Sequence, residues 1–513
     1  MLQCALHVSM GGPAECAVAD PAMAAPSAPF CTPLHPSDGD QETMTLPRGP
    51  LVAVFLALLP GMGRAADIDG ATLSLLWGLP FAGILLSIAL LPLFAPIFWH
   101  HHFGKVAAAW ALAFLLPFAL CFGPAAAGTS LVHAALAEYI PFVLLLTALF
   151  TVAGGIYVRG NLHGSPGLNT AILAIGAVLA SFMGTTGASM LMIRPLLRAN
   201  DNRKHVAHVV VFFIFIVSNA GGSLTPLGDP PLFLGFLNGI DFFWTARHIL
   251  PETLFLVGAL LLIFFALDTW FYHRREELLP ADPTPDDRAI GFDGKANFAL
   301  LGLVVALVLL SGIWKSPLSW HIAGAQVGLP GLVRDLGLVL VTLLSLRITP
   351  AQVHADNRFG WAPMQEVAKL FAGIFLTIIP VIAMLRAGID GPFGAIVAAV
   401  TRPDGQPDPA MYFWASGLLS SFLDNAPTYL VFFNIAGGDP AVLMTRLAPT
   451  LAAISAGAVF MGANSYIGNA PNLMVKAIAE DRGVKMPGFF AYMLWAGAIL
   501  VPLFIAMTFI WFR

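Results

Sequence analysis

Two acidic residues stand inside long apolar stretches, each where helix-breaking residues cluster. Asp229 lies in Gly228-Asp229-Pro230-Pro231, and Asp424 in Ser421-Phe422-Leu423-Asp424-Asn425-Ala426-Pro427. Around these breaks stand side chains that offer oxygen or amide groups, namely Ser181, Thr185, Thr186, Asn425, Thr428, Asn469 and Asn472. A carboxylate at membrane depth is costly unless it faces water, a partner or an ion. Oxygen ligands of this kind suit a small hard cation, so Na⁺ is expected at Asp229 and Asp424, with protons competing for the same oxygens. The bland alternative is structural. Aspartate is a favoured N-cap, so each carboxylate could do no more than start a helix. Serine and threonine in membrane helices often bond back to their own chain.

The breaks are written twice. Ser181-Phe182-Met183-Gly184-Thr185-Thr186-Gly187 is answered 240 positions later by Ser421 to Pro427, and Gly228-Asp229-Pro230-Pro231 by Gly468-Asn469-Ala470-Pro471. Ser181/Ser421, Phe182/Phe422, Gly222/Gly462, Gly228/Gly468 and Pro231/Pro471 share that register. Gly184, Gly187, Gly222, Gly228, Pro231, Pro427, Gly468 and Pro471 are the expected helix breaks. Irregular backbone at membrane depth survives only when buried in protein or lining a polar cavity. Paired interruptions are the sequence pointer to a secondary transporter's site, so the four irregular stretches are expected to converge.

The elements that must position them are membrane spans. A chain of 513 residues with 58% hydrophobic and 11% charged residues departs far from soluble composition. Its partner is membrane lipid; the formal charge of −4 and the lack of a dense basic cluster leave no place for nucleic acid. Cys4, Cys16, Cys31 and Cys121 show neither disulfide nor metal spacing, and no resident cofactor is expected. Residues 1–43 read as a disordered tail or as an extension upstream of a start at Met44. Residues 44–66 read as a signal peptide, with Arg48 before the short apolar run Leu51 to Leu59 and small residues at the end; a short membrane anchor is the other reading.

Ten spans of about 20 residues fall near 72–95, 106–127, 139–158, 206–238, 249–272, 297–314, 327–346, 365–386, 447–475 and 488–511. Segments 168–197 and 411–434 are interrupted halfway and read as re-entrant hairpins. Cytoplasmic loops collect Lys and Arg. The loop after the first hairpin holds Arg194, Arg198, Arg203 and Lys204, whereas its counterpart, 434–447, holds only Arg446. The next pair reverses, with Arg247 alone in 239–248 but Lys476, Arg482 and Lys485 in 476–487. The expected fold is therefore an all-α integral membrane protein, an inverted repeat of two five-span halves (67–272 and 297–513), each with a hairpin and a broken helix. A cytoplasmic linker, 273–296, joins them, and the protein is expected to be multi-pass in a bacterial inner membrane. Arg194 and Arg386 read as interfacial anchors and His100-His101-His102 as a cytoplasmic rim. Arg334 and Asp335 project in different directions, and neither is given a partner.

Ser420 to Thr428, Gly228 to Pro231 and Gly468 to Leu473 resemble the signature segments of the ion transporter superfamily. The likeness is to its NhaD-type sodium/proton antiporters and the citrate-transporter-like (CitMHS-like) proteins beside them, and runs from about residue 70 to the C-terminus. The resemblance implies a homodimer with a scaffold part and a transport part, opposed hairpins and elevator-like movement. The dicarboxylate branch carries Ser-Asn-Thr triplets where this chain reads Gly-Thr-Thr and Asp-Asn-Ala, and Pro230-Pro231 stands where antiporters carry threonines. Two carboxylates favour a cation over a polycarboxylate, so sodium/proton antiport is expected, with a Na⁺- or H⁺-coupled citrate or dicarboxylate symporter as the alternative. A nucleophile–base pair or metal cluster is not visible at depth, so enzymatic activity is not expected.

Overall fold

The computed structural model describes residues 69–160, 162–274, 290–322 and 325–513. The expected tail and signal peptide lie outside the described residues, as does most of the linker.

Proline marks many of the helix starts, because a first-turn residue needs no N–H donor and proline's fixed φ suits that position. In the first half α1 (Leu79–Phe94), α2 (Pro96–Phe122) and α3 (Pro124–Gly154) lead to a hairpin of α4 (Pro166–Met183) and α5 (Thr185–Ala199). The broken pair α6 (Ala207–Ile216) and α7 (Pro230–Leu237) follows, then α8 (Leu250–Tyr272). The second half repeats this order. It runs through α9 (Ala296–Ile313) and α10 (Leu329–Ile348), the bent pair α11 (Ala362–Thr377) and α12 (Ile379–Arg386), and the hairpin α13 (Pro409–Ser420) and α14 (Asn425–Ile435). The broken pair α15 (Ala448–Phe460) and α16 (Ala470–Asp481) and a last span, α17 (Phe489–Trp511), complete it. Among the described residues nine helices are long and apolar enough to span a membrane, or ten if the bent pair counts as one. The protein is a multi-pass α-helical membrane protein.

Two of the expected spans are broken where glycine and proline cluster, and a third is corrected in form. Segments 206–238 and 447–475 are each two helices, separated by 3₁₀ turns at Ala220–Leu224 and Met461–Asn464. Segment 365–386 bends by 43° between Thr377 and Ile379. Boundaries move as well. The stretch between 127 and 139, expected as a loop, is helical throughout α3 and includes a π turn at Ala135–Tyr139. Thr129, Ser130, His133 and Glu138 lower its hydropathy without breaking a helix, since none lacks an N–H or demands unusual backbone. α2 starts ten residues before the expected 106, so His100 to His102 lie in its first turns.

Both interrupted segments are hairpins. The outer ends of α4 and α5 are joined by a reciprocal amide pair, Asn169 Nδ2 to Asn200 Oδ1 at 2.9 Å and Asn200 Nδ2 to Asn169 Oδ1 at 2.8 Å. In the second hairpin Tyr412, near the start of α13, packs on Phe432, near the end of α14, with ring centroids 6.2 Å apart. The tips Phe182 and Phe422 are 47% and 43% exposed.

The central helices are cased in protein and the outer ones face lipid: the stretch Ala207–Leu224 is 89% buried against 22% for Phe489–Trp511. That casing permits irregular backbone at the breaks. The loops sort by their Lys and Arg content. Residues 198–208 share one cavity with 482–485, whereas Trp244 Nε1 donates to Met444 O at 3.1 Å in the opposite pair of loops. The end of the linker is tied down: β2 (Gly291–Asp293) pairs antiparallel with β1 (Tyr157–Arg159), reinforced by Arg159 Nε to Asp293 Oδ2 at 2.8 Å.

Candidate functional site

The two breaks are built alike to the level of single hydrogen bonds. Ser181 Oγ donates to Gly221 O at 2.6 Å, and Ser421 Oγ to Met461 O at 3.1 Å, 240 positions on. Thr225 Oγ1 donates to Ser181 O, and Ser465 Oγ to Ser421 O. Thr225 Oγ1 then accepts from Leu227 N and Ser465 Oγ from Ile467 N, both at 3.2 Å. At each break two glycines touch through their backbones. A Cβ on Gly228 would stand 2.1 Å from Gly222 O, and one on Gly468 2.5 Å from Gly462 O, so the breaks close only with glycine there.

Asp229 and Asn469 occupy equivalent N-cap positions with nearly the same backbone, φ −145° and ψ 143° against φ −150° and ψ 139°. Neither side chain caps its helix. Pro231 removes the N2 donor, one of the two that an N-cap side chain would satisfy, which leaves less to hold the Asp229 carboxylate at the cap. It turns instead to other elements. Oδ1 accepts from Thr185 Oγ1 at 3.0 Å and Asn469 Nδ2 at 3.4 Å, and Oδ2 accepts from Asn425 Nδ2. Asp229 is 1% exposed. One carboxylate thus gathers both hairpin tips and both breaks, and Thr185 N to Gly228 O at 2.8 Å fixes the first tip against its break.

An amide chain runs onward from this centre. Asn469 Nδ2 also reaches Ser218 O and Asn219 Oδ1, at 3.2 and 3.3 Å. Asn219 Nδ2 donates to Asn472 Oδ1 at 2.8 Å, and Asn472 Nδ2 donates to Gly462 O and Ser465 O, both at 2.9 Å. Asn472 therefore braces the second break. Asn425 Oδ1 is buried and finds no partner among the described residues, so an oxygen is left open beside the carboxylate.

Asp424 behaves differently. Its Oδ1 accepts from Ala426 N at 3.0 Å, the capping role, while it also lines a cavity of about 540 Å³. Thr428 Oγ1 bonds back to Asp424 O at 3.0 Å and supports the tip rather than the cavity. Thr185, Thr186, Gly184, Gly187 and Asn469 are on the cavity wall; Asp229 sits behind Thr185 and Asn469. Gly184 adopts φ +81°, a conformation open to glycine, where the second hairpin has Asp424 at φ −53°. Pro231, Pro427 and Pro471 fall in first helical turns.

The cavity wall carries one residue that sequence reasoning passed over, Glu366, and one that it read as part of a cytoplasmic rim, His100. Trp99 Nε1 donates to Glu366 Oε1 at 3.3 Å. The rule that flagged Asp229 would have flagged Glu366, a carboxylate in an apolar span. Asn219 and Thr225 carried the same kind of signal, polar groups beside Gly221-Gly222. Arg194 is corrected from anchor to buried residue, with NH1 3.4 Å from Met190 O, while Arg386 remains exposed and donates to Asn434 Oδ1 at 2.8 Å. Arg334 and Asp335 pair with each other at 2.8 Å, since the long arginine can bend to its neighbour.

A multi-pass helical protein whose paired hairpins and broken helices meet at one buried polar centre has the plan of a secondary transporter. The chain belongs to the family described as "Putative citrate transport", whose profile matches residues 70–512. No individual curated protein matches it.

Proposed function

We propose that this transporter exchanges Na⁺ for protons at the centre formed by Asp229, Asn425, Thr185 and Asn469, with Asp424 at its mouth. One observation carries the reading: among the described residues the cavity leading to the centre is lined by Asp424 and Glu366 and by no lysine or arginine. Such a wall attracts cations and repels a polycarboxylate. The family description favours a second reading, Na⁺- or H⁺-coupled citrate symport with Asp229 in the coupling-ion site. Opposed halves, a homodimeric assembly, elevator-like movement and a bacterial inner-membrane location belong to the same proposal; the segregation of Lys/Arg-rich loops to one end supports the opposition of the halves.

The test is purified protein in vesicles, comparing Na⁺-driven proton efflux with labelled citrate uptake. Proton movement on Na⁺ addition without citrate uptake is expected. Citrate accumulation with no proton movement against Na⁺ would replace antiport by the second reading.

A further inference from the structure

We propose that the Lys/Arg-rich end of the protein binds the phosphate of an anionic phospholipid in a cavity of about 630 Å³ between residues 197–208 and 482–485. Among the described residues five lysines and arginines line it, Arg198, Arg203, Lys204, Arg482 and Lys485, against one acid, Asp201. Asp268 accepts from Arg203 NH2 at 2.6 Å, with both side chains fully buried, and takes up that charge. Asp201, Arg203 and Lys204 are already engaged with partners, so the positive charge that faces the cavity is that of Arg198, Arg482 and Lys485. Helix C-terminal dipoles offset part of it at Arg198, but Arg482 and Lys485 lie beyond the end of α16.

Arg198 supplies an observation of another kind. Its terminal nitrogens donate to Tyr157 OH and Val158 O, which are neutral, and its buried Nε finds no partner among the described residues. Among the described residues the guanidinium is thus positioned without a counter-ion. Phosphate oxygens answer this donor set best, since arginine and lysine groups recognise them at short range.

The surroundings select a lipid over a soluble anion. Phe271 and Trp495, from the ends of α8 and α17, complete the wall, and aromatic residues of this kind settle at headgroup depth. On the same turns Trp270, Phe490 and Leu494 are 54%, 78% and 75% exposed, an apolar face for acyl chains. Basic pockets between span ends on the positive side are where anionic headgroups bind. The location ties the lipid to the moving parts. α5 and α16 start at Thr185 and beside Asn469, which both hold Asp229, and their far ends reach this cavity. A bound headgroup braces the two helices together.

Native mass spectrometry of the full chain in micelles containing phosphatidylglycerol or phosphatidylcholine tests the proposal. The native protein should retain phosphatidylglycerol in preference, and Arg482→Gln/Lys485→Gln should weaken retention by on the order of tenfold or more. Lys485→Gln alone, measured separately, gives a second and milder variant should the first fail to fold. Equal retention of the two lipids by the native protein overturns the proposal, as does unchanged retention by the folded variants. Displacement of the lipid by millimolar inorganic phosphate would also overturn it, assigning the cavity to a soluble anion.

Discussion

Asp229→Asn separates ion binding from folding. The carboxylate receives three side-chain donors, from Thr185, Asn469 and Asn425. Replacing a charged acceptor by a neutral one lowers each contact from about 2 to about 1 kcal/mol, roughly 3 kcal/mol in all. Against this, a buried charge is removed, which returns several kcal/mol of desolvation. The donor clash at the old Oδ2 is relieved if Asn425 turns over and presents its orphan Oδ1, so the net change in stability is small. Cation binding has no such compensation. A carboxylate and a cation about 2.5 Å apart attract by roughly 7 kcal/mol at an effective dielectric near 20. If desolvation and the residual amide dipole halve this, about 3 kcal/mol remains, roughly two orders of magnitude in affinity. In vesicles with a trapped pH dye, half-saturating Na⁺ should rise about a hundredfold while the unfolding temperature stays within a few degrees. In the native protein half-saturating Na⁺ should rise as pH falls, by about tenfold per unit where one proton competes, and this slope should vanish in the variant. Unchanged Na⁺ dependence and an unchanged pH slope in folded Asp229→Asn would refute the assignment.

Asp424→Asn keeps the cap to Ala426 N and should abolish Na⁺-dependent proton movement with folding intact, whereas Asp424→Ala should also lose about 1 kcal/mol of stability; native exchange in the asparagine variant would reduce Asp424 to a cap. Gly228→Ala forces a Cβ to 2.1 Å from Gly222 O and should cost about 3 kcal/mol or more, read as loss of monodisperse protein. Gly258→Ala, with nothing within 4 Å, is the neutral control. Single cysteines in 198–204 and 478–485 should label from the cytoplasm, and those in 239–247 and 436–445 from outside. Labelling of 198–204 and 436–445 from one side would remove the opposed arrangement of the halves.

What was legible in the sequence was the set of features that depend on local chemistry. Glycine, proline and apolar run length located both hairpins and both broken helices, because these residues act on the backbone wherever they stand. Side-chain partnerships were less visible. Asp229 and Asp424 read as two acids at non-equivalent breaks with one shared role, yet one leaves its helix uncapped while the other caps its helix. Asp268, Arg203 and His208 form a buried cluster, with His208 Nε2 2.8 Å from Asp268 Oδ1. The sequence presented Arg203 only as a loop charge, since nothing local shows that α8 brings an acid to it. The polar residues of α3 lowered hydropathy at a place where the backbone had no reason to stop.

The two halves share a backbone plan and divide the charge between them. At equivalent positions one half carries an acid and the other a neutral residue: Asp229 against Asn469, and Gly184 against Asp424. Asn469 Nδ2 stands 3.4 Å from Asp229 Oδ1, so an acid at both positions would set two carboxylates in contact, and one would have to hold a proton. The asparagine converts that repulsion into a hydrogen bond and leaves one carboxylate at the centre. Glycine at 184 likewise spares the first hairpin tip a charge beside Asp229, while Asp424 supplies its charge from the cavity wall. Repetition provides the breaks and the hairpins; departure from repetition provides a centre with a single buried carboxylate.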